Sequence, residues 1–424
     1  MSPTKNKTER TGMSSLKFAI DAPAGLARVA LLLGAVVSLA AHAETNPYHI
    51  GASQTFTRES NVFKVPDQEN PKSDVISGTS IFGGVDQSIG RQRVYANASL
   101  QNNSYNRLSR LDFVGYDVMA GFDWATVGRL SGTLSFSRHE GQGDFSRPDA
   151  SALTSGKFVE TTEQIAALVN YELLTNLAVN GGVERRKVES SNQSLASSDV
   201  TSDIARIGLR YRLGGSVSVG TGFRFTKDKR PESASSTGRS GTRRDLDLTT
   251  DWTPTALTSV NARVSVGNGN NSQSVSGSSS TVTGSLGANY SPTGRLSFRG
   301  SFSRDTGTET TFLNAANAAS VGLGGVNVDT NRVTESVNLG VTYLLTSKIN
   351  LTANYSRADG SYETVSGSSS DNTINRYALG AQYEVARNLS MGCAVQRESR
   401  SGSSLTVRSY SANSANCSVR YTLK

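Results

Sequence analysis

Two cysteines and three histidines are the side chains best suited to redox, metal or nucleophilic chemistry in this 424-residue chain. Cys393 and Cys417 lie on neighbouring alternating runs, in register with Met391, Val395 and Val419. A turn centred near residue 405 would bring them close to opposite each other. An oxidising compartment would allow a disulfide there. Two small lipid-facing hydrophobes are the other reading. Their separation of 24 residues matches no metal-ligand spacing. Of His42, His49 and His139, only His139, in Ser137-Arg138-His139-Glu140, sits where a general base would be useful. A hydrolase also needs a nucleophile and an orienting group held beside the base, and the sequence indicates neither. No phosphate-cradling glycine loop, metal-ligand cluster or nucleophile elbow occurs. No catalytic residue, metal or cofactor is therefore expected.

A second set of groups carries charge rather than reactivity. On the alternation described below, Arg206, Arg210, Arg212, Arg224, Arg263, Arg295 and Arg299 share one face of their runs with Asp117, Asp123, Asp245, Asp247 and Asp251. If that face lines a lumen, these groups set solute preference, or they hydrogen-bond across the wall and keep the lumen wet.

The elements that must position them repeat. Trp124, Tyr171, Tyr211, Trp252, Tyr290, Tyr343, Tyr383 and Tyr421 are spaced by 47, 40, 41, 38, 53, 40 and 38 residues. Each closes an alternating run, precedes a short turn and is followed by a second run and a long Ser-, Gly-, Thr- and Asn-rich loop. Val337, Leu339, Val341 and Tyr343 alternate with Asn338, Gly340 and Thr342, and Ile349, Leu351, Ala353 and Tyr355 continue the pattern after the turn. A period of two is the mark of a strand with two unlike faces. Runs of this length suit a tilted membrane strand. The repeat predicts an antiparallel transmembrane β-barrel with short turns at one end and long loops at the other. Eighteen strands are expected, with 16 as the alternative. Short turns are placed at Val127–Arg129, Leu174–Asn176, Leu213–Gly215, Thr253–Thr255, Ser291–Gly294, Thr346–Ser347 and Ala386–Asn388.

Composition agrees with a barrel. Only 36% of residues are hydrophobic and mean hydropathy is −0.35, because every second strand residue faces water. Residues 1–43 read as an export signal: Lys5, Lys7, Arg10, Lys17 and Arg28, an apolar run from Val29 to Ala41, then Ala41-His42-Ala43. A membrane anchor is the competing reading, but the run is short for a spanning helix. Residues 44–424 are then the barrel, with a net charge of about +5 after loss of five basic and two acidic groups. Lys and Arg are scattered singly, so nucleic acid is not an expected partner.

Two segments carry a family likeness. Phe56-Thr57-Arg58-Glu59-Ser60-Asn61-Val62-Phe63-Lys64-Val65-Pro66-Asp67, followed by Ser73-Asp74, resembles the opening motif of the EpsL-like outer-membrane barrels of bacterial exopolysaccharide clusters. Leu111-Asp112-Phe113-Val114-Gly115-Tyr116-Asp117, Phe122-Asp123-Trp124 and Gly128-Arg129-Leu130-Ser131-Gly132 resemble a second stretch of the same family. The motif positions singled out are Asn61, Phe63, Pro66, Asp67, Asp112, Tyr116 and Trp124. Glu59, Val62 and Lys64 depart mildly from the pattern. The resemblance implies a barrel of 16 or 18 strands that passes an exopolysaccharide through a polar lumen, with periplasmic and inner-membrane export proteins as partners and outer-membrane lipid around it. It brings no catalytic residues. Phe63 and Pro66 could instead pin the first external loop.

The expectation is an outer-membrane pore of a Gram-negative bacterium acting in exopolysaccharide export. A general or small-solute porin and a structural or adhesive barrel working through its loops are the alternatives. The loop from Thr306 to Thr330 is expected either to fold into the mouth and narrow it or to lie outside.

Overall fold

The computed structural model describes residues 46–145, 157–191, 199–231, 238–271, 278–305, 332–363, 369–402 and 409–424. The expected leader, residues 1–43, and the loop 306–330 lie outside these residues. The barrel unit spans Pro47–Lys424.

Eighteen strands form it. They are β1 Tyr48–Glu59, β2 Asp74–Ile89, β3 Gln92–Tyr105, β4 Phe113–Ala125, β5 Leu130–Gln142 and β6 Val159–Leu174. Then come β7 Leu177–Ser190, β8 Val200–Leu213, β9 Val217–Arg230, β10 Arg239–Thr255, β11 Thr258–Asn271 and β12 Ser278–Thr293. The last six are β13 Leu296–Asp305, β14 Arg332–Leu344, β15 Ile349–Glu363, β16 Ser369–Ala386, β17 Leu389–Gly402 and β18 Tyr410–Leu423. Every strand pairs antiparallel with its sequence neighbours. The first and last strands also pair, from Ile50 opposite Leu423 to Glu59 opposite Ser414. The sheet is therefore closed and has no free edge, the condition for a sheet to sit in lipid.

Alternation fixes which face is which. On β8, Ile207, Leu209, Tyr211 and Leu213 are exposed on the outer wall, and Arg206, Gly208, Arg210 and Arg212 take the opposite face. Opposed residues share a face, so the assignment carries from strand to strand: Leu209 stands opposite Val179 and Thr221, and Leu246 opposite Phe223 and Val266. The outer wall is thus a continuous apolar surface and the inner wall a polar one.

Six of the eight periodic aromatics take up one level, and Trp124 and Trp252, opposite Gly132 and Val260, sit one step deeper. Tyr171 pairs with Leu130, Tyr211 with Leu177, Tyr290 with Thr258, Tyr343 with Leu296, Tyr383 with Ile349 and Tyr421 with Leu389. Each partner is the first residue of a strand, so the aromatics ring the short-turn end, where amphipathic rings meet headgroups. At the other end the apolar wall stops at cross-strand ion pairs: Arg138–Glu163, Arg185–Asp203 and Arg304–Glu335. These pairs sit one outward step beyond Phe136–Ile165, Val183–Ala205 and Phe302–Val337. From Leu213 to Ala205 on a tilted strand the apolar belt is about 20 Å tall, near the thickness of an outer-membrane belt.

Two turns differ from the sequence reading. Strands β10 and β12 run on to Thr255 and Thr293, with register shifts between Trp252 and Thr255 and between Tyr290 and Thr293. Pro254 and Pro292 occupy those bulges. Proline has no N–H to give a ladder, and a bulge is where a strand tolerates it. The turns move to Ala256–Leu257 and Gly294–Arg295. Arg295 is therefore not a wall residue: it is exposed in the turn, outside the inward set in which the sequence placed it.

Candidate functional site: the lumen and its strapped mouth

Inside the barrel an open chamber of about 1250 Å³ is bordered by Arg206, Arg210, Arg263, Arg299, Asp247 and Asp251, with Ser, Asn and Gly between them. Small and polar residues here follow from the alternation: each opposes an outward apolar group one position away. Arg210 pairs with Asp251 at 3.2 Å, both about half exposed. Arg299 Nε donates to Asn289 Oδ1 at 3.2 Å. Asp123 accepts from Thr133 Oγ1 at 2.9 Å and faces Arg93 at 3.7 Å. Arg212 points inward near the short-turn rim and is exposed. Some charges thus stand beside opposites, but arginines outnumber carboxylates along the chamber.

Two of the inward candidates do not face water. Arg224 and Asp245 are each 1% exposed. Arg224 Nη2 lies 3.1 Å from Asp247 and 3.5 Å from Asp245, and Arg243 Nη2 lies 2.8 Å from Asp245. This buried ionic knot ties β9 to β10, and Arg224 Nη2 donates to Ser265 Oγ of β11 at 3.4 Å; it is wall rather than lining. Alternation reports the face of a residue, and cannot report whether other side chains cover it.

Asp117 does face the lumen, where His139 Nδ1 meets its carboxylate on the adjoining strand. Both side chains are more than half exposed. The sequence offered His139 no partner; cross-strand pairing supplies one. Among the described residues no group of three or more His, Cys, Asp and Glu side chains is placed to hold a metal.

Cys393 and Cys417 are directly opposed in the β17–β18 ladder and their sulfurs are bonded. They share a face with exposed Met391, Val395 and Val419, so the bond lies on the lipid side, away from the lumen.

The long-loop mouth holds what sequence alone did not resolve. Residues 60–73, between β1 and β2, form a strap that folds inward. Val62, Phe63 and Val65 join Tyr105, Leu111, Phe145 and Phe158 in a hydrophobic core, with Ile76, Leu108 and Phe113 against it. Ile76 and Tyr105 have the inward parity of their strands, since Ile81 and Leu100 are exposed on the lipid face. Phe158 likewise precedes β6 with parity opposite to exposed Ile165. Phe63 meets Phe145 edge to face at 5.2 Å, and Phe145 meets Phe158 the same way at 5.2 Å, a favoured aromatic geometry.

Asn61 organises the strap. It is 1% exposed. Its Nδ2 donates to Val65 O at 2.7 Å and to Ser411 O at 3.1 Å, and its Oδ1 accepts from Val65 N at 3.0 Å. Lys64 then turns back with φ 53°. Its ammonium lies 3.8 Å from Glu59 and 3.6 Å from Glu398 and 5.8 Å from the centre of the Tyr410 ring. Glu398 is held by Arg376 at 2.6 Å and by the Tyr410 hydroxyl. Glu59 and Lys64, two departures from the family pattern, thus touch each other.

The other motif positions are also bracing. Pro66 precedes a single 3-10 turn, Asp67–Glu69. Asp67 is exposed and accepts from Ser411 Oγ at 3.4 Å. Asp112 Oδ1 accepts from Tyr105 N at 2.7 Å. Asp74, 3% exposed, accepts from the amides of Arg107 and Leu108. Tyr116 lies on the outer face beneath the Arg138 guanidinium. Trp124 lies on the outer face over Gly132, where an added Cβ would come within 2.6 Å of the indole.

A closed, antiparallel, even-stranded barrel with a lipid-height apolar wall and a wet interior admits one placement. The chain is an outer-membrane β-barrel of a Gram-negative bacterium. No protein-family model matches its sequence, so the EpsL-like segments remain a likeness of short stretches. No curated protein matches it either. Solved structures similar to it include OpdK of Pseudomonas aeruginosa with vanillate, at 13% identity and TM-score 0.45, covering 89% of this chain and 98% of that one. OccAB4 of Acinetobacter baumannii matches at 11% identity and TM-score 0.45 over 90% and 99%. The FrpB iron transporter of Neisseria meningitidis matches at 11% identity and TM-score 0.44 over 88% and 81%. The barrel described above stands on its own strand register and does not rest on these likenesses.

Proposed function

We propose that this barrel is a diffusion pore for small hydrophilic solutes, narrowed at its long-loop mouth by the 60–73 strap. The observation that carries the reading is the chamber bordered by alternating Arg, Asp, Asn and Ser side chains, inside a wall whose outer face is apolar. Such a lining offers many weak hydrogen bonds and a surplus of arginine charge, so a solute exchanges its hydration shell without being held. The aromatic core at the mouth favours compact solutes over a long polymer, because it fills the inner side of the rim near β3–β6 with side chains that are almost wholly buried.

Purified protein in planar bilayers and in liposomes containing sugars of increasing size tests this. Ohmic single-channel currents and a permeation rate that falls steeply beyond oligosaccharide size are expected. Absence of any current from correctly folded protein would refute the pore.

Exopolysaccharide passage is a second reading, supported by the resemblance of residues 56–74 and 111–132, with periplasmic and inner-membrane export proteins as its partners. In this fold the motif residues Asn61, Phe63 and Asp112 are used internally, which weakens the case for direct glycan contact. A deletion strain that loses secreted polymer and retains it in the periplasm would favour this reading over the first.

A further inference from the structure

We propose that the 60–73 strap is a latched gate: a preformed unit that swings off the inner rim when the Lys64 bridge to Glu59 and Glu398 releases. The inference rests on the pore reading above and adds regulation to it.

The strap has its own internal order. Val62 N–H donates to Lys72 O at 2.9 Å and closes its neck. Asn61 is clamped to Val65 in both directions, and Lys64 N–H returns to Asn61 O. Lys64 and Asn70 adopt left-handed φ values of 53° and 52°, a conformation that non-glycine residues take only where surroundings enforce it. The backbone hydrogen bonds described for 61–72 stay within the strap, and the segment joins no strand ladder. It can therefore move without unpairing the barrel.

Its neck is tied to β18, where Ser60 N–H donates to Asn413 O and Asn61 Nδ2 to Ser411 O; beyond that hinge and the 3.4 Å contact of exposed Asp67 with Ser411, side chains on two unlike flanks fasten it to the wall. One is the aromatic pad of Phe63 on Phe145 and Phe158. The other is ionic. Lys64 stands between the inward carboxylates of β1 and β17 at 3.8 and 3.6 Å, longer than the 2.6 Å contact that fixes Glu398 to Arg376. Glu398 keeps Arg376 and Tyr410 when Lys64 leaves, so of the two wall carboxylates only Glu59 gives up its cation. Lys64 itself is 16% exposed as a side chain and reaches water once freed. An apolar pad and a removable charge bridge, pivoting on the neck bonds of Ser60 and Asn61, form a two-position arrangement, because packed contacts are made or lost together.

Single-channel recording tests the gate. Lys64→Met should raise the occupancy of the wider conductance state by about two- to fivefold, the worth of a partly shielded ion pair, and Lys64→Arg should keep wild-type behaviour. Phe63→Ala, acting on the other flank, should raise the same occupancy independently. Arg304→Gln, on the outer wall, should change nothing, and heat-modified gel mobility reports that each variant is folded. A Lys64→Met channel with wild-type occupancy would overturn the gate. So would a uniformly larger conductance without transitions in both variants, which describes a fixed constriction. A folded wild-type protein without any current would instead overturn the pore reading, and the gate with it.

Discussion

Asn61→Ala isolates the hub of the strap from the barrel that carries it. The substitution removes one side chain that is 1% exposed and that serves three backbone groups: Val65 N–H, Val65 C=O and Ser411 C=O. Each buried group left without a partner costs about 1–3 kcal/mol. The rim is close to water, so the low end of that range applies, and the total is about 3 kcal/mol. That shifts the local opening equilibrium roughly a hundredfold. The amide of Val62, donor to Lys72 O across the neck, is the reporter. Its hydrogen exchange in detergent-solubilised protein should accelerate by about two orders of magnitude, because exchange through local opening follows the opening free energy. Amides in the ladder of β8 with β9 should not change. Asp67→Ala is the control: its residue is exposed and holds one 3.4 Å contact, so less than about 0.5 kcal/mol is expected. If Val62 in Asn61→Ala exchanges within threefold of wild type, Asn61 does not hold the strap and the description of the mouth is wrong.

Three further outcomes follow from the wall and the mouth. Replacing both Cys393 and Cys417 by Ala should destabilise the barrel by about 3 kcal/mol, the loop-closure value for their separation of 24 residues; equilibrium refolding into lipid reads it, and the wild type should migrate faster on a non-reducing gel than the reduced protein. Leu209→Arg, in the middle of the apolar belt, should cost about 2–4 kcal/mol by the same assay, whereas Ser399→Arg, beyond the belt on β17, should cost about 0–1 kcal/mol. Equal costs at the two positions would mean the belt is misplaced. In cells, N-terminal sequencing of the exported protein should begin at Glu44.

Much of this architecture was legible in the residues. The period of two in runs such as Val337–Tyr343 fixed both the strands and their wet and greasy faces, and the recurring Trp and Tyr located the short-turn rim. Both are properties of single strands and need no knowledge of the partner. The inward parity of Arg206, Arg210, Arg263 and Asp251 follows from the same rule. Depth does not: Arg224 and Asp245 have the same parity as Arg206 yet are sealed by neighbours on β9–β11. Arg295 slipped because Pro292 makes a bulge that lengthens β12, and a bulge adds a residue without changing the composition of the turn. Phe63 and Pro66 suggested a pinned first loop, but not what the strap packs against. Residues 60–73 show no periodicity, and the partners of Phe63, namely Phe145 and Phe158, are remote in sequence and belong to a different loop. One signal was present: Val62-Phe63 and Val65 are apolar in a segment that otherwise reads as an external loop, where burial needs something to cover it. Lys64, Glu59, Glu398, Arg376 and Tyr410 are brought together only by closure of β18 on β1.

Cysteine scanning along β8 tests the closed, water-filled barrel most directly. Single cysteines placed one at a time from Ala205 to Arg212, in a Cys393→Ala, Cys417→Ala background, would be probed in liposomes with a membrane-impermeant maleimide and with a lipid-soluble one. Strict alternation is expected: Arg206, Gly208, Arg210 and Arg212 positions labelled from water, and Ala205, Ile207, Leu209 and Tyr211 positions labelled from lipid. Uniform aqueous labelling of both sets, or labelling with a period near 3.6 residues, would contradict it.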